Sequence, residues 1–396
     1  MQPDLHRIEQ LARQPLMSTS GVAVKKVDDE LTHCTPRLAD LLDEAAHLIT
    51  RYAKLPFREL SVLVACWIAL TYIYEHFRYC GYLALRSATP RCGKTKLLRI
   101  LSLLVQGCPS ITTNPTAPVL FRSLRRVLIL DEVDRLRNAD KDNFGAVISI
   151  LNVGFEKGAV VERTERTKGG NFEVKAFPVY RPVAMAGIES LADTLSDRTF
   201  HIRMERTPER MPRFSPRLLE ELAEQLRIGF QAWAEHHGDE VETAYDQLPD
   251  ELPDLTGFDD RLQDIAEPLI VLAALADRQR LDGPAVLPRL LKGLHAAAGR
   301  REPSGREREL LSFLGIIELL LDGADEIFVA SSTLVELCRD GEDLSRIETG
   351  RALAGFLKHF DLFPTSNGKA RGYAIRWDWV TNWQTRYGRE QVYPPI

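Results

Sequence analysis

The feature that most constrains this chain is a short loop pattern between a predicted strand and a predicted helix. The stretch LRSATPRCGKTKLLRIL, residues 85–101, ends its loop in Gly93-Lys94-Thr95. That is the end of the phosphate-binding pattern G-x-x-x-x-G-K-[ST], although Ala88 stands where the pattern has its first glycine. Such a loop requires a strand before it and a helix after it, and YLALRS (82–87) and the apolar periodicity from Lys94 supply both.

Backbone N–H groups and a helix N-terminus converge on the anion in such loops, so Gly93 is needed where a Cβ would obstruct the approach. We expect Lys94 to reach the β and γ phosphates and Thr95 to place its hydroxyl on Mg²⁺. The alternative is a glycine-lysine turn that merely caps a helix. The residues predicted to contact the nucleotide are Ala88, Pro90, Arg91, Cys92, Gly93, Lys94, Thr95 and Lys96.

A second motif, VLILDE, puts two acids at the carboxyl end of an apolar strand. This is the edge at which open α/β sheets bind ligands. We expect Asp131 to hold Mg²⁺ and Glu132 to polarise an attacking water, which favours ATP hydrolysis with ATP and Mg²⁺ as cofactors. The alternative is that these acids cap the next helix or pair with Arg135.

Composition limits the class of protein. The chain has 396 residues, 27% of them charged, and a formal net charge of −5, so it is long enough for several domains and is not globally basic. Its six cysteines are scattered without metal-ligand spacing, which fits a reducing cytoplasm. The most apolar run, residues 60–74, is shorter than the roughly 20 residues of a membrane span, so we expect a buried helix and no membrane contact. The N-terminus has no signal-peptide pattern.

The alternation of apolar strands and helices predicts an α/β P-loop NTPase core at 82–237. We expect a loosely held arm at 1–35 and an N-terminal helical segment at 36–81. Residues 238–260 carry nine acidic and no basic residues, which predicts a solvated linker. A helical lid at 261–300 and a C-terminal domain at 307–396 complete the expected order.

Six segments in this order resemble a known bacterial family. They are LPFRELSVLVACWIALTYIYEHF, RCGKTKLLRILSLL, VLILDEVDRL, LNVGFEKGAVVER, LADTLSDRTFHIRMER and FDDRLQDIAEPLIVLAALAD. The set is similar to the family catalogued as domain of unknown function 3631, whose ATPase core is similar to AAA+ proteins and superfamily 3 helicases. The resemblance spans roughly 36–388 and implies an ATPase core but no known biological role. Our own expectation is that the chain self-associates as a homo-oligomer, with a ring as one form, and has DNA as a partner. Members of the family are often found in phages, plasmids and integrated elements.

The resemblance also implies roles for two arginines. Arg198 matches the position of an arginine finger that reaches a neighbouring subunit's γ-phosphate and neutralises charge in the transition state. Its alternative is pairing with Asp197 or Asp193. Arg261, at the start of the lid, is the candidate second sensor, with a plain surface arginine as its alternative. The strand VAMAGI lacks the Asn or Thr of a typical first sensor at its end.

Two further segments are candidates for nucleic-acid contact. Residues 159–177 predict a hairpin whose tip carries Arg163, Arg166 and Lys168, where superfamily 3 helicases insert a hairpin into a central pore. The alternative is a hairpin charged for solubility. The C-terminal segment looks like a winged helix, on which Arg351, Lys369 and Arg371 could face DNA phosphates, and such modules also bind proteins.

These expectations combine into an ATP-hydrolysing AAA+-like motor that acts on DNA, as a helicase or replication ATPase of a mobile element. Two alternatives remain open at this point. One is an ATPase that remodels a protein partner or acts in phage defence. The other is an ATP-gated DNA-binding module with little turnover, against which the intact Glu132 argues.

Overall fold

The computed structural model divides the chain into two compact units, Met1–Arg301 and Glu302–Ile396. It describes residues 36–87, 89, 91–133, 140–166, 171–187, 193–207, 211–212, 216–248, 255, 258–298, 305–339 and 341–387. Several residues with predicted roles therefore lie outside the described residues: the arm at 1–35, Ala88, Pro90, Arg135, Lys168 and the end of the VAMAGI strand from residue 188.

Two helices open the first unit, as expected for 36–81. Helix α1 spans Leu38–Tyr52 and buries one face, while α2 spans Leu60–Ile73 and has every residue buried. The polar groups of α2 find partners within the core: Trp67 Nε1 donates to the carbonyl of Gly81 at 2.8 Å. Among the described residues, no helix has the length and apolar character that a membrane span requires. The apolar run is thus the central core helix of this unit.

A five-stranded parallel sheet forms the centre of the first unit, in the order β2-β3-β6-β1-β7. Its strands are β1 (Tyr82–Arg86), β2 (Thr112–Thr113), β3 (Leu128–Asp131), β6 (Val183–Gly187) and β7 (Thr199–Arg203). Strands β1, β3 and β6 are almost wholly buried, as strands covered by helices on both faces must be. The connecting helices are α3 (Lys94–Leu104), α4 (Ala117–Arg122), α5 (Lys141–Val153) and α6 (Asp193–Ser196). This is an α/β P-loop NTPase-like core.

The predicted hairpin is present between α5 and β6. Strands β4 (Val160–Arg166) and β5 (Phe172–Pro178) pair antiparallel, with Arg166 opposite Phe172 nearest the turn. Most residues of both strands are exposed, including Phe172 and Val174 at 77% and 63% of their surface. Where β5 ends, Phe177 packs on Phe121 of α4, with ring centroids 4.9 Å apart. The hairpin is therefore anchored at its base and exposed along its length.

The acidic segment differs from the expected linker. Helix α7 spans Pro216–Asp246, so residues 238–246 are its end, after a break in helical geometry at His237 (φ −119°, ψ 15°). Val241 is fully buried in the core of the first unit, which explains why the helix continues through so acidic a stretch. Helices α8 (Asp260–Arg278) and α9 (Val286–Ala298) follow and share that same core. The core and the expected lid thus belong to one unit.

The second unit has its own core and a three-stranded antiparallel sheet in the order β8-β10-β9. Its order along the chain is helix, strand, two helices, two strands and a last helix. These elements are α10 (Gly305–Leu321), β8 (Glu326–Ala330), α11 (Ser331–Arg339), α12 (Gly350–Lys358), β9 (Thr365–Ser366), β10 (Arg371–Arg376) and α13 (Trp377–Tyr387).

Candidate nucleotide site

The loop between β1 and α3 has the backbone geometry of an anion-binding turn. Gly93 adopts φ +87° and Arg91 φ +67°, both in the left-handed region that favours glycine. Helix α3 begins at Lys94, and the first intrahelical bond runs from Leu97 N to Gly93 O at 3.0 Å. The helix supplies no acceptor to the N–H groups that precede Leu97, so they are oriented toward whatever lies beyond the N-terminus. The loop therefore suits phosphate oxygens.

Lys94 turns its side chain into this loop. Its Nζ donates a hydrogen bond to the hydroxyl of Ser87, the residue that follows β1. Ser87 is buried, and its hydroxyl in turn donates to the carbonyl of Thr89 at 2.6 Å. The partner that the structure gives this ammonium is a neutral hydroxyl, and no described carboxylate lies within ion-pair distance of it, so a phosphate would displace no described acid there.

Thr95 and Asp131 meet at the carboxyl edge of the sheet. Thr95 Oγ1 lies 3.2 Å from Asp131 Oδ2, although 36 residues separate them in sequence. The other carboxylate oxygen, Oδ1, accepts the backbone N–H of Glu132 at 2.9 Å, and Glu132 adopts φ +58°. A hydroxyl and a carboxylate are the oxygen ligands that Mg²⁺ takes from a protein when phosphates and water complete its shell. The pair therefore fits the predicted Mg²⁺ site.

The described residues do not form a metal site made of protein ligands alone. In the part of the chain that the structure describes, no group of three or more His, Cys, Asp or Glu side chains could hold a metal ion. A cation at Thr95 and Asp131 would thus depend on the nucleotide for its remaining ligands.

Three other predicted loop residues have distinct surroundings. Cys92 is 8% exposed and its Sγ donates to the carbonyl of Thr89 at 3.1 Å. Arg91 is exposed. Lys96 points away from Lys94: its Nζ donates to the carbonyl of Pro212 at 2.9 Å and lies 5.6 Å from the ring of Tyr52, and burial lowers its pKa. Its side chain is committed to that contact, so a role at the nucleotide falls to its backbone N–H.

Arg198 lies at the opposite edge of the sheet from Lys94. Its carbonyl accepts the N–H of Tyr82 at the start of β1, at 2.9 Å, whereas the loop follows the end of that strand at Arg86. At about 3.3 Å per residue, the strand separates the two ends by roughly 13 Å. Arg198 therefore cannot serve the loop of its own chain in this arrangement.

Arg261 lies beside Arg198 and not beside Lys94. The guanidinium carbons of the two arginines lie 4.9 and 5.0 Å from the centroid of the same ring, that of Phe155. Arg261 is 3.6 Å from Asp264, and Arg198 Nη1 donates to the carbonyl of Thr194. The expectation that Arg261 senses its own nucleotide from the lid is therefore not met by its position, because the start of α8 packs at the amino edge of the sheet.

The surroundings of Arg198 disfavour the positive charge on its guanidinium. Its pKa is lowered, first by burial and then by the nearby charge of Arg261. Its buried Nε has no hydrogen-bond partner among the described residues. The charge of Asp197 acts on this pKa in the opposite direction, and Asp264 lies 3.6 Å from Arg261, so carboxylates already lie beside both cations. A further anion would find the buried Nε of Arg198 as its available donor. No sequence pattern pointed to Phe155, the ring on which this pair is assembled.

The candidate nucleic-acid residues are placed on exposed surfaces. In the hairpin, Arg163 donates to the carbonyl of Glu162 at 2.8 Å and lies 5.3 Å from the ring of Phe121, while Arg166 ends β4. In the second unit, Arg351, Lys369 and Arg371 are all exposed.

The turn that carries Lys369 is formed by Asn367 and Gly368. Asn367 Oδ1 accepts the N–H groups of Lys369 and Ala370 at 3.0 and 2.9 Å, and Gly368 adopts φ +83°. The side chain of Asn367 thus stabilises the turn of the β9–β10 hairpin.

Comparison with known proteins gives distant structural neighbours. No protein-family model matches the chain, and no curated protein matches it. A solved structure described as SCCmec type IV Cch, active helicase, is 12% identical, covers 86% of this chain and 71% of its own, and has a TM-score of 0.41. The apo C-terminal region of NrS-1 is 13% identical over 87% and 75%, with a TM-score of 0.34. The JCV helicase is 15% identical over 66% and 62%, with a TM-score of 0.24. At this distance the assignment depends on the geometry of the chain itself.

Proposed function

We propose that this chain is an ATP-hydrolysing AAA+-like motor that acts on DNA. The observation that carries the proposal is the contact between Thr95 and Asp131 beside the left-handed Gly93 loop. Two motifs far apart in sequence converge on one edge of a parallel sheet, where a triphosphate with its cation would lie. A glycine-lysine turn that only capped a helix would not require an acid from the neighbouring motif.

The residues divide the chemistry among them. Lys94 would bind the β and γ phosphates, and Thr95 and Asp131 would hold Mg²⁺, which would supply positive charge against the charge developing on the phosphates. Glu132 orients and polarises the attacking water from the position after Asp131. Strand β6 lies between β1 and β3 and brings its carboxyl end between Lys94 and Asp131, a strand order that supports the AAA+-like class.

The site would be completed by a second copy of the chain. Arg198 and Arg261 lie at the edge of the sheet that is remote from their own loop, and they form a cation pair in which the buried Nε of Arg198 has no partner among the described residues. We assign both to the γ-phosphate held by a neighbouring subunit, with Arg198 as the finger. Arg261 is then a second trans-acting cation and not a sensor in its own subunit.

DNA is the proposed partner because basic side chains are exposed in both units. Arg163 and Arg166 lie on the hairpin, with Lys168 following in the sequence, and Arg351, Lys369 and Arg371 lie in the second unit. The order helix, strand, two helices, two strands in that unit supports a winged-helix-like fold. A role in replication or maintenance of a mobile element stays a prediction.

A protein partner is the second candidate. The hairpin exposes Val160, Phe172 and Val174 at 50%, 77% and 63% of their surface, and such side chains favour a protein contact over a phosphate backbone. The two candidates differ in what stimulates turnover: single-stranded DNA in the first, a folded or unfolded protein in the second.

The test is ATP binding and hydrolysis by three proteins with and without DNA. Lys94→Ala should lose ATP binding because the phosphates lose their charge partner, whereas Glu132→Gln should bind ATP and hydrolyse it slowly. Turnover by the unaltered chain should rise with DNA. Equal ATP affinity for Lys94→Ala and the unaltered chain would refute the nucleotide site, and turnover indifferent to DNA would favour a protein partner.

A further inference from the structure

A large groove lies between the β4–β5 hairpin and the loop of residues 123–126 that leads into β3. Its volume is about 1160 Å³. Six cationic side chains line it against two carboxylates, Glu75 and Glu165, which leaves an excess of four positive charges in a chain whose net charge is −5. The cations are Arg122, Arg125, Arg126, Arg166, Lys175 and Arg181. No sequence pattern indicated this groove, because four of the six lie outside the hairpin strands.

Hydrogen bonds from Arg181 hold the 123–126 loop, which forms one wall of the groove. Arg181 is 8% exposed and donates to the carbonyls of Ser123, Arg125 and Pro178 at 2.7, 3.0 and 2.8 Å. One guanidinium therefore ties this loop to the end of the hairpin. The groove is a preformed feature of the fold, and a ligand would not have to order it.

Arg125 contributes positive charge that no acid neutralises. Its guanidinium donates to the carbonyl and hydroxyl of Ser110 at 3.3 and 2.9 Å and to the hydroxyl of Thr112 at 3.1 Å, all of them neutral oxygens. Among the residues that the structure describes, neither Arg125 nor Arg166 lies within ion-pair distance of a carboxylate. An anion could therefore contact these two side chains without displacing a described carboxylate.

Aromatic rings position the other cations. Arg122 lies 5.5 Å from the ring of Phe121, Lys175 lies 5.4 Å from that of Phe177, and Arg126 lies 5.9 Å from that of Tyr74. The rings are occupied by these cations and packed in the core, so their faces are not offered to bases. The groove thus presents charge and not stacking surfaces, which predicts recognition of a backbone without sequence preference.

Three ion pairs in the groove would compete with a ligand. Glu165 pairs with Arg122 at 2.5 Å and with Lys175 at 3.9 Å, and Glu75 pairs with Arg126 at 2.6 Å. A phosphate that approaches these cations competes with a carboxylate already present, so each new contact adds little binding free energy. Binding should therefore be moderate and strongly dependent on salt.

We propose that this groove binds the phosphate backbone of single-stranded nucleic acid. Its volume exceeds the 300–1,000 Å³ or so of small-molecule pockets, which favours a chain-like polyanion. A positive groove that follows one backbone is the arrangement that binds single strands. The inference rests on the proposed action on DNA, but it extends the contact from Arg166, near the hairpin turn, along the hairpin to the 123–126 loop.

The experiment measures fluorescence anisotropy of a labelled single-stranded oligonucleotide of mixed sequence over a range of salt, without nucleotide. In Arg125→Gln/Arg166→Gln, affinity should fall and the slope of log affinity against log salt should become shallower by roughly 1.4, at about 0.7 for each phosphate that the protein no longer neutralises. Arg166→Gln/Lys175→Gln alters only exposed side chains and guards against misfolding of the first variant. Its slope should become shallower by about 0.7 or more, because Arg166 has no carboxylate partner among the described residues whereas Lys175 lies 3.9 Å from Glu165. Arg217→Gln/Lys292→Gln removes the same charge from helices outside the groove and should behave as the unaltered chain.

Each outcome decides between explanations. Oligonucleotide binding that is unchanged in both groove variants would overturn the groove assignment while leaving a DNA-acting motor intact. Failure of the unaltered chain to bind any oligonucleotide would overturn the proposed DNA function itself. Displacement of the oligonucleotide by polyglutamate of equal charge with equal potency would reassign the groove to an acidic protein segment. Equal affinity for RNA and DNA single strands of one sequence would support readout of the backbone.

Discussion

At the scale of single residues, Cys92 provides a probe inside the nucleotide loop. Its side chain is 8% exposed, whereas Cys108 is exposed just after α3. A maleimide should therefore modify Cys108 before Cys92. Mg-ATP should slow the labelling of Cys92 further, because phosphates would close the loop over the thiol, and should leave Cys108 unchanged.

The measurement is peptide mass spectrometry at timed intervals, with Cys108 as the internal reference. Rates at Cys92 that are identical with and without Mg-ATP would mean that the nucleotide does not occupy this loop. Protection of both cysteines together would instead indicate a global change in exposure.

The sequence analysis assigned both Thr95 and Asp131 to Mg²⁺, and the strand pattern explains why they lie close together. Each follows the carboxyl end of a strand in a parallel sheet, so the two motifs had to meet at one edge. Arg261 could not be placed in the same way. Its position depends on the packing of α8 against Phe155, a contact between side chains 106 residues apart that no local pattern encodes.

At the scale of elements, the close approach of α9 to α2 depends on Gly293. A Cβ at this position would lie 2.7 Å from the carbonyl oxygen of Glu59 and 3.3 Å from Leu63 Cβ. Gly293→Ala should lower the free energy of unfolding by about 1–3 kcal/mol, the usual cost of overpacking a core. Urea unfolding followed by circular dichroism would measure it.

Gly145 of α5 is the matched control for this substitution. It is also a helical glycine, but it is exposed and a Cβ there would meet nothing within 4 Å. Gly145→Ala should be neutral or stabilising by up to about 1 kcal/mol. Equal effects of the two substitutions would show that the α2–α9 contact is looser than the structure has it.

At the end of helix α7, the acidic composition gave a misleading prediction of a linker. The stretch after Gly238 has the acidic character of a linker, yet Trp233, His237 and Val241 recur every four residues on one face. Trp233 and Val241 are buried, and the rings of Trp233 and His237 stack at 5.0 Å. From Gly238 to Asp246 only Val241 is buried, so the acidic charge concealed an amphipathic helix. Strands β1, β3 and β6 were predictable because their apolar runs are continuous.

At the scale of the whole molecule, the proposed mechanism requires the two edges of the sheet in the first unit to form one site between neighbouring copies. Lys94, Thr95, Asp131 and Glu132 lie at the carboxyl edge of the sheet, and Arg198 and Arg261 lie at the amino edge. Head-to-tail association would bring the arginine edge of one copy to the loop edge of the next, a heterologous arrangement that generates rings when it closes. Hydrolysis per subunit should then rise with protein concentration.

Mixing experiments separate an arginine that acts in trans from one that acts in cis. Arg198→Ala and Arg261→Ala should each fold and bind ATP, and the loss of a finger should slow turnover by roughly 10³-fold or more. Each variant is mixed with Lys94→Ala, which has a defective loop and intact arginines. In a random equal mixture, about a quarter of the head-to-tail interfaces would join an intact loop to intact arginines. Both mixtures should regain turnover, read as phosphate release against each variant alone.

The two mixtures give different answers if only one arginine acts in trans. An Arg261 that served its own subunit's nucleotide could not be replaced from a neighbour, because every intact loop in that mixture would sit in a chain without Arg261. Recovery with Arg198→Ala but not with Arg261→Ala would therefore restore the sensor role in cis and require α8 to move toward the loop in the assembled state. Absence of recovery in both mixtures, with co-assembly verified by mass, would make Arg198 and Arg261 structural cations on Phe155 and leave each nucleotide site within a single chain.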